Sequence, residues 1–208
     1  MFVSPPHPTA RKLVSRLAIA ASAGAALLGV IGTSPALAAE GSSSCQGQVF
    51  TQPFQLFGDS NYYTLVPGSQ FNASEEGWEL SGGARITEAN RPYGLRGGVL
   101  ELPSGARAVS PPMCVTLLYP TARMWARRVE GTGGVVRVGV SYAGVRPEMV
   151  EAVRGSRTAW TLSEPFEVRP QLGGEGEETR EVRFILTARG DNNPTYDVYS
   201  LYVDPRML

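Results

Sequence analysis

The chain has 208 residues, with 19 basic and 19 acidic side chains, one histidine, two cysteines, 24 glycines and 16 prolines. The single histidine, His7, and the single lysine, Lys12, both fall in an N-terminal stretch that reads as a removable leader. Without that stretch the chain has no imidazole and no amine side chain, which excludes the commonest general base, the commonest transition-metal ligand and Schiff-base chemistry.

The leader is legible in three parts. Arg11, Lys12 and Arg16 stand without an acid; residues 17–30 (LAIAASAGAALLGV) are small and apolar; Ala36-Leu37-Ala38 supplies an A-x-A site. This order predicts a secretory signal peptide over 1–38 and a secreted product. The apolar run is shorter than the roughly 20 residues a membrane span needs, so no stable span is expected after cleavage. Loss of the leader changes the balance from 19 against 19 to 16 against 19, leaving a mildly acidic chain. That balance argues against nucleic-acid partners, which call for a basic excess. Residues 39–57 read as a lead-in and 58–208 as one domain, expected to act as a monomer.

Along the domain the hydrophobic period is two. Short candidate strands come first, at 78–80, 84–87, 98–102, 106–109 and 113–118. In 122–129 (ARMWARRV), Met124 and Ala126 point one way while Arg123, Trp125 and Arg127 point the other. In 135–142 (VVRVGVSY), Val136, Val138, Val140 and Tyr142 share a side. Further candidates follow at 150–154 and 158–162. In 181–188 (EVRFILTA) Val182, Phe184, Leu186 and Ala188 alternate with polar positions, and 196–203 closes the series. Gly82-Gly83, Gly97-Gly98, Pro111-Pro112, Gly133-Gly134 and Asn193-Pro194 punctuate the runs. So many half-buried strands without an amphipathic helix predict an all-β protein, an antiparallel β-sandwich of jelly-roll type.

Cys45 and Cys114 both survive leader removal, and in an oxidising compartment they are expected to form a disulfide. Closing that loop would contribute about 4 kcal/mol on the chain-entropy argument. A catalytic thiol lacks a histidine to activate it, and two cysteines do not make a four-cysteine zinc site.

The alternation in 122–129 gives the sharpest candidate ligand-binding face: Trp125 between Arg123 and Arg127, with Arg137 and Arg183 expected from a neighbouring strand. An indole flanked by guanidinium groups suits stacking on a sugar ring, with arginine reaching hydroxyls or carboxylates. The competing reading has Trp125 partly covered and the arginines solvated or paired with Glu130 and Glu181. Trp78 and Trp160 read as core or rim aromatics, and Tyr62, Tyr63 and Tyr93 as a loop site. Catalysis would require a two-carboxyl glycosidase or a lyase built on Tyr196, Tyr199 or Tyr202 and arginine. No carboxyl sits in such a signature, and no G-x-S-x-G occurs. The expected role is therefore non-enzymatic, with no catalytic residues, no cofactor and no metal.

Phe57-Gly58-Asp59, YYTLVPGSQF (62–71), the run Gly77 to Ala84, LELPSGARAVSPPMCV (100–115), RMWAR (123–127) and YVDP (202–205) together resemble a family of uncharacterised secreted actinobacterial proteins. More loosely, the opening GSQF-to-GW pattern and the closing strand are similar to jelly-roll carbohydrate-binding modules and galactose-binding-like domains. That likeness implies a sandwich and a polysaccharide or cell-envelope partner. An extracellular structural or protein-interaction domain is the alternative. Modules of that class often hold a structural calcium; here Asn72 and Tyr199-Ser200 replace the acidic positions, which lowers affinity for a hard cation. Asp191, Asn192, Asn193 and Asp197 lack calcium-loop spacing and read as a turn before the last strand.

Overall fold

The computed structural model describes residues 48–72, 77–116, 120–142, 146–157, 159–168 and 179–204. They belong to a compact unit spanning Gly41–Leu208. The predicted signal peptide and Cys45 lie outside the described residues. So does the pairing of Cys45 with Cys114, whose own side chain is buried.

Among the described residues thirteen strands form two antiparallel sheets. The first sheet holds β1 (Thr64–Leu65), β3 (Arg85–Asn90), β4 (Arg96–Leu102), β7 (Thr121–Thr132), β10 (Thr161–Leu162), β11 (Phe166–Glu167) and β13 (Asn192–Asp204). The second holds β2 (Glu79–Ser81), β5 (Arg107–Val109), β6 (Met113–Thr116), β8 (Val135–Tyr142), β9 (Glu148–Val153) and β12 (Thr179–Arg189). The central path of the first sheet runs β10-β7-β13-β4-β3, and that of the second β2-β5-β12-β8-β9. Successive strands cross repeatedly between the sheets, giving the expected jelly-roll sandwich. Among the described residues there is no α-helix, only two 3-10 turns, at Gln55–Phe57 and Pro92–Gly94.

The core is the sum of the inward alternations. Val136, Val138, Val140 and Tyr142 from β8 meet Val182, Phe184, Leu186 and Ala188 from β12, and face Met124, Ala126, Val198, Leu201 and Leu100 from the first sheet. Fully burying each large apolar side chain contributes on the order of 1.5–3 kcal/mol. Trp78 belongs to this core, and its indole nitrogen donates to the Pro67 carbonyl at 3.0 Å.

Two readings of the punctuation change. Gly97 and Gly98 were expected to separate strands, yet both lie inside β4. A Cβ on Gly98 would stand 1.8 Å from the Phe71 carbonyl oxygen, and one on Gly97 would stand 2.3 Å from the Arg91 guanidinium carbon. The pair marks a close approach of loops to the sheet. The last strand likewise begins at Asn192 rather than 196, so Asp197 is a strand residue and only Asp191 precedes the strand.

Candidate functional site

The outer face of the first sheet is built from rows of cross-strand neighbours. Tyr202 pairs in register with Arg123, Tyr199 with Trp125, and Asp197 with Arg127. Asp197 also faces Glu101 on β4, which faces Arg85 on β3. Tyr199 and Tyr202 are three apart, so strict alternation would send them to opposite faces. A bulge in β13 between Tyr199 and Leu201 resets the phase, with Ser200 at φ 50° and its amide donating to the Ser69 carbonyl at 2.8 Å. Both tyrosines consequently share the face with Trp125, while Val198 and Leu201 both enter the core.

Two loops build walls on this face. Phe57, in the 3-10 turn Gln55–Phe57, meets Trp125 edge-on at 5.7 Å between ring centroids. Tyr93, at the tip of the β3–β4 connection, meets the same indole edge-on at 5.7 Å. Trp125 is 9% exposed beneath them, whereas Phe57 is 47% and Tyr93 70% exposed. Trp160 lies 6.4 Å from Tyr199, with its indole nitrogen donating to the Asn90 carbonyl at 2.7 Å. Tyr93 has φ 66°, the left-handed region that costs a bulky side chain roughly 1–2 kcal/mol. The ring is thus displayed at the expense of local backbone strain.

Guanidinium groups hold this platform together. Arg123 donates to Asp59 Oδ2 at 2.8 Å and, through Nε, to the Ser163 carbonyl at 2.9 Å, and lies 4.9 Å over the Phe54 ring. Asp59 also accepts the Tyr63 hydroxyl at 2.9 Å and the Asn61 amide at 3.1 Å. Burial alone would raise the Asp59 carboxyl, but the hydrogen bonds from Arg123, Asn61 and Tyr63 outweigh it and hold it below its ordinary value. The same arrangement, burial first and Asp59 second, pushes the Tyr63 hydroxyl up to about 12. Arg127 donates to Asp197 at 2.5 Å and lies 4.8 Å over Trp160. Burial raises the Asp197 carboxyl in spite of that partner. Arg91 lies 4.9 Å over Tyr199 while binding the Gly98 and Gln70 carbonyls, each at 3.0 Å.

Of the five expected site residues, Arg123, Trp125 and Arg127 do share one face, opposite Met124 and Ala126. Arg137 and Arg183 do not join them, because β8 and β12 belong to the other sheet. There Arg183 donates to Glu79 at 2.6 Å. Arg123 pairs with Asp59 and Arg127 with Asp197. Phe57, Trp160, Tyr199 and Arg91 were not anticipated at the face. Their only sequence signal is the phase change between Val198 and Leu201 and the Pro92-Tyr93-Gly94 tip. Residues 51–57, expected as a lead-in, also belong to the face: Phe54 is buried, 5.0 Å from Tyr63 and 5.3 Å from Tyr202. Of the three tyrosines expected in a loop site, Tyr63 is buried while Tyr62 and Tyr93 are exposed.

No protein-family model and no curated protein sequence matches the chain. Among solved structures it is similar to the CBM22-1 xylan-binding domain of Paenibacillus barcinonensis Xyn10C, at 11% identity over 67% of this chain and 94% of that one, with a TM-score of 0.46. It is also similar to TmCBM61 in complex with β-1,4-galactotriose, at 17% identity over 66% of this chain and 93% of that one, with a TM-score of 0.43. A third likeness is to the xylan-binding module CBM15, at 14% identity over 69% and 95% of the two chains, with a TM-score of 0.45. Likeness at this level assigns neither a ligand nor a role to any residue.

Proposed function

We propose that the protein is a secreted, non-enzymatic binding domain that takes up a neutral polysaccharide on the outer face of its first sheet. One observation carries the reading: Tyr93 and Phe57 stand exposed, each edge-on to Trp125, and Tyr93 does so in a strained backbone. Aromatic rings offered to solvent stack on the apolar faces of sugar rings, and strain is retained where function holds it. Neutral rather than acidic sugar suits this face because Arg123 and Arg127 are already committed to carboxylates. The carboxyls are committed in turn. Asp197 and Glu101, adjacent in register, are bound to Arg127 and Arg85 respectively, an ion-pair row and not a free acid and base.

The test is retention in gels containing xylan, galactan or mixed-linked glucan, using Tyr93→Gly. Glycine adopts φ 66° without cost, so the variant should melt no lower than the wild type. Its affinity should nevertheless fall on the order of tenfold, the equivalent of one stacking contact. Unchanged retention, or no retention of the wild type on any neutral glycan, removes the proposal. A protein partner is the second reading, favoured by Leu56 at 92% and Leu95 at 66% exposure beside the two walls. Loss of partner capture in Leu56→Ser, without any glycan retention by the wild type, would select it.

A further inference from the structure

A second site lies away from the aromatic face. At one end of the sandwich three crossings between the sheets converge: β4 to β5 past Ser104, β7 to β8 through Gly133-Gly134, and β12 to β13 through Gly190-Asp191. Gly133 and Gly134 have φ 68° and 80°, and a Cβ on Gly134 would stand 2.6 Å from the Arg189 carbonyl oxygen. The tightness of that turn leaves an open cavity of about 560 Å³ outside it, lined by Arg137, Arg154 and Arg189 together with Ser104, Thr132 and Asn192. The volume is that of a small-molecule site, larger than a bare ion requires.

The register explains why three arginines meet. Val135 pairs with Arg189, and Arg137 pairs with Thr187 on one side and Ala152 on the other. Val153 pairs with Val136, so Arg154 follows at the level of Val135. Arg189 and Arg154 therefore flank Val135 on the two neighbouring strands, and Arg137 stands two residues along on the same outward side. Cross-strand diagonals of this kind are roughly 7–8 Å, close enough for mutual repulsion. All three side chains are exposed, and none has an ion pair among the described residues. Asp191 is the one carboxylate in the lining. Three arginines against one carboxylate leave net positive charge at the cavity, which attracts an anion.

We infer that this cavity binds the carboxylate of an acidic sugar. The planar forks of Arg137, Arg154 and Arg189 match a carboxylate's two oxygens, and Ser104 together with the Thr132–Asn192 pair, in which Asn192 Nδ2 donates to Thr132 Oγ1 at 2.9 Å, adds hydroxyl and amide groups that suit the ring hydroxyls. The site is independent of the aromatic face and of its proposed ligand.

Calorimetric titration with trigalacturonate, neutral galactotriose and inorganic phosphate tests it on the full chain. Trigalacturonate should bind, weakening as salt is raised, while galactotriose gives no heat at this cavity. Arg137→Gln and Arg154→Gln should each weaken trigalacturonate on the order of tenfold, the loss of one charge-assisted bidentate contact. Both side chains are exposed, so the variants should melt with the wild type. Tyr93→Gly should bind trigalacturonate as the wild type does, which separates this cavity from the aromatic face. Inorganic phosphate binding as tightly as trigalacturonate would overturn the inference in favour of a simple ion site. Failure of trigalacturonate to bind, or equal binding by the arginine variants, would overturn it outright.

Discussion

The two outer faces of the sandwich use the same residue in opposite ways. On the first sheet Arg123 and Arg127 are largely removed from water and bound to Asp59 and Asp197. On the second, Arg183 reaches Glu79 with both side chains substantially exposed, and Arg137 and Arg189 project outward. Residue type does not separate them; the covering does. The Thr51–Phe57 segment and the Tyr93 tip lie over the first face, and a guanidinium taken out of water must find acceptors or destabilise the fold. On the second face Arg137 and Arg189 are exposed, so their charge stays available. Arginine is a fastener under one face and a recognition group on the other.

The largest consequence of that contrast is at Asp59. Replacing it with alanine leaves Arg123 buried without its carboxylate and frees the turn that carries Phe57. Asp59→Ala should lower stability by about 3 kcal/mol in urea unfolding, as for a broken buried pair. Because the folded carboxyl is held below its ordinary value, this contribution is present above that ordinary value and fades as pH falls through the lowered one. A loss within the range of a surface pair would erase the distinction between the faces.

Tyr63 gives the next effect, at the alkaline end. Its hydroxyl ionises near 10.0 when unfolded and at about 12 when folded. Between those values the folded state holds the extra proton, so stability present below pH 10 is lost as pH rises toward 12, by about 2 kcal/mol. Tyr63→Phe should flatten this part of the profile. A wild-type profile already flat there would mean that Tyr63 is not shielded by Phe54 and Asp59.

How far sequence reaches differs between the core and this face. The alternations Val136-Val138-Val140 and Val182-Phe184-Leu186 fix which side is buried, since a half-buried strand has only two choices. The same logic placed Arg123, Trp125 and Arg127 together. It failed for Arg137 and Arg183 because periodicity assigns a side within a strand and says nothing of which sheet the strand joins. It failed for Tyr199 and Tyr202 because a bulge at Ser200 breaks the period that the reading depends on. The alternation left Trp125 either exposed or partly covered; what covers it comes from residues 54–57 and 91–95, loops whose folding depends on long-range contacts such as Arg123 to Asp59. Local pattern carries the layers of this protein, and long-range polar contacts carry its site.

The smallest effect is the control that gives the comparison its meaning. Arg183 and Glu79 form a pair as short as those on the first face, at 2.6 Å against 2.5 Å for Arg127 and Asp197. Distance alone would therefore rank the two alike. Their side chains are 41% and 67% exposed, so water and salt screen the attraction and both groups solvate freely when separated. Arg183→Gln should change urea stability by less than about 0.5 kcal/mol, and the difference should vanish in high salt. Arg127→Gln, which strands a carboxyl that burial already raises, should cost several times more and keep its effect in salt. Equal costs for the two substitutions would show that burial does not govern these pairs, and the aromatic face would lose its claim to be fastened by them.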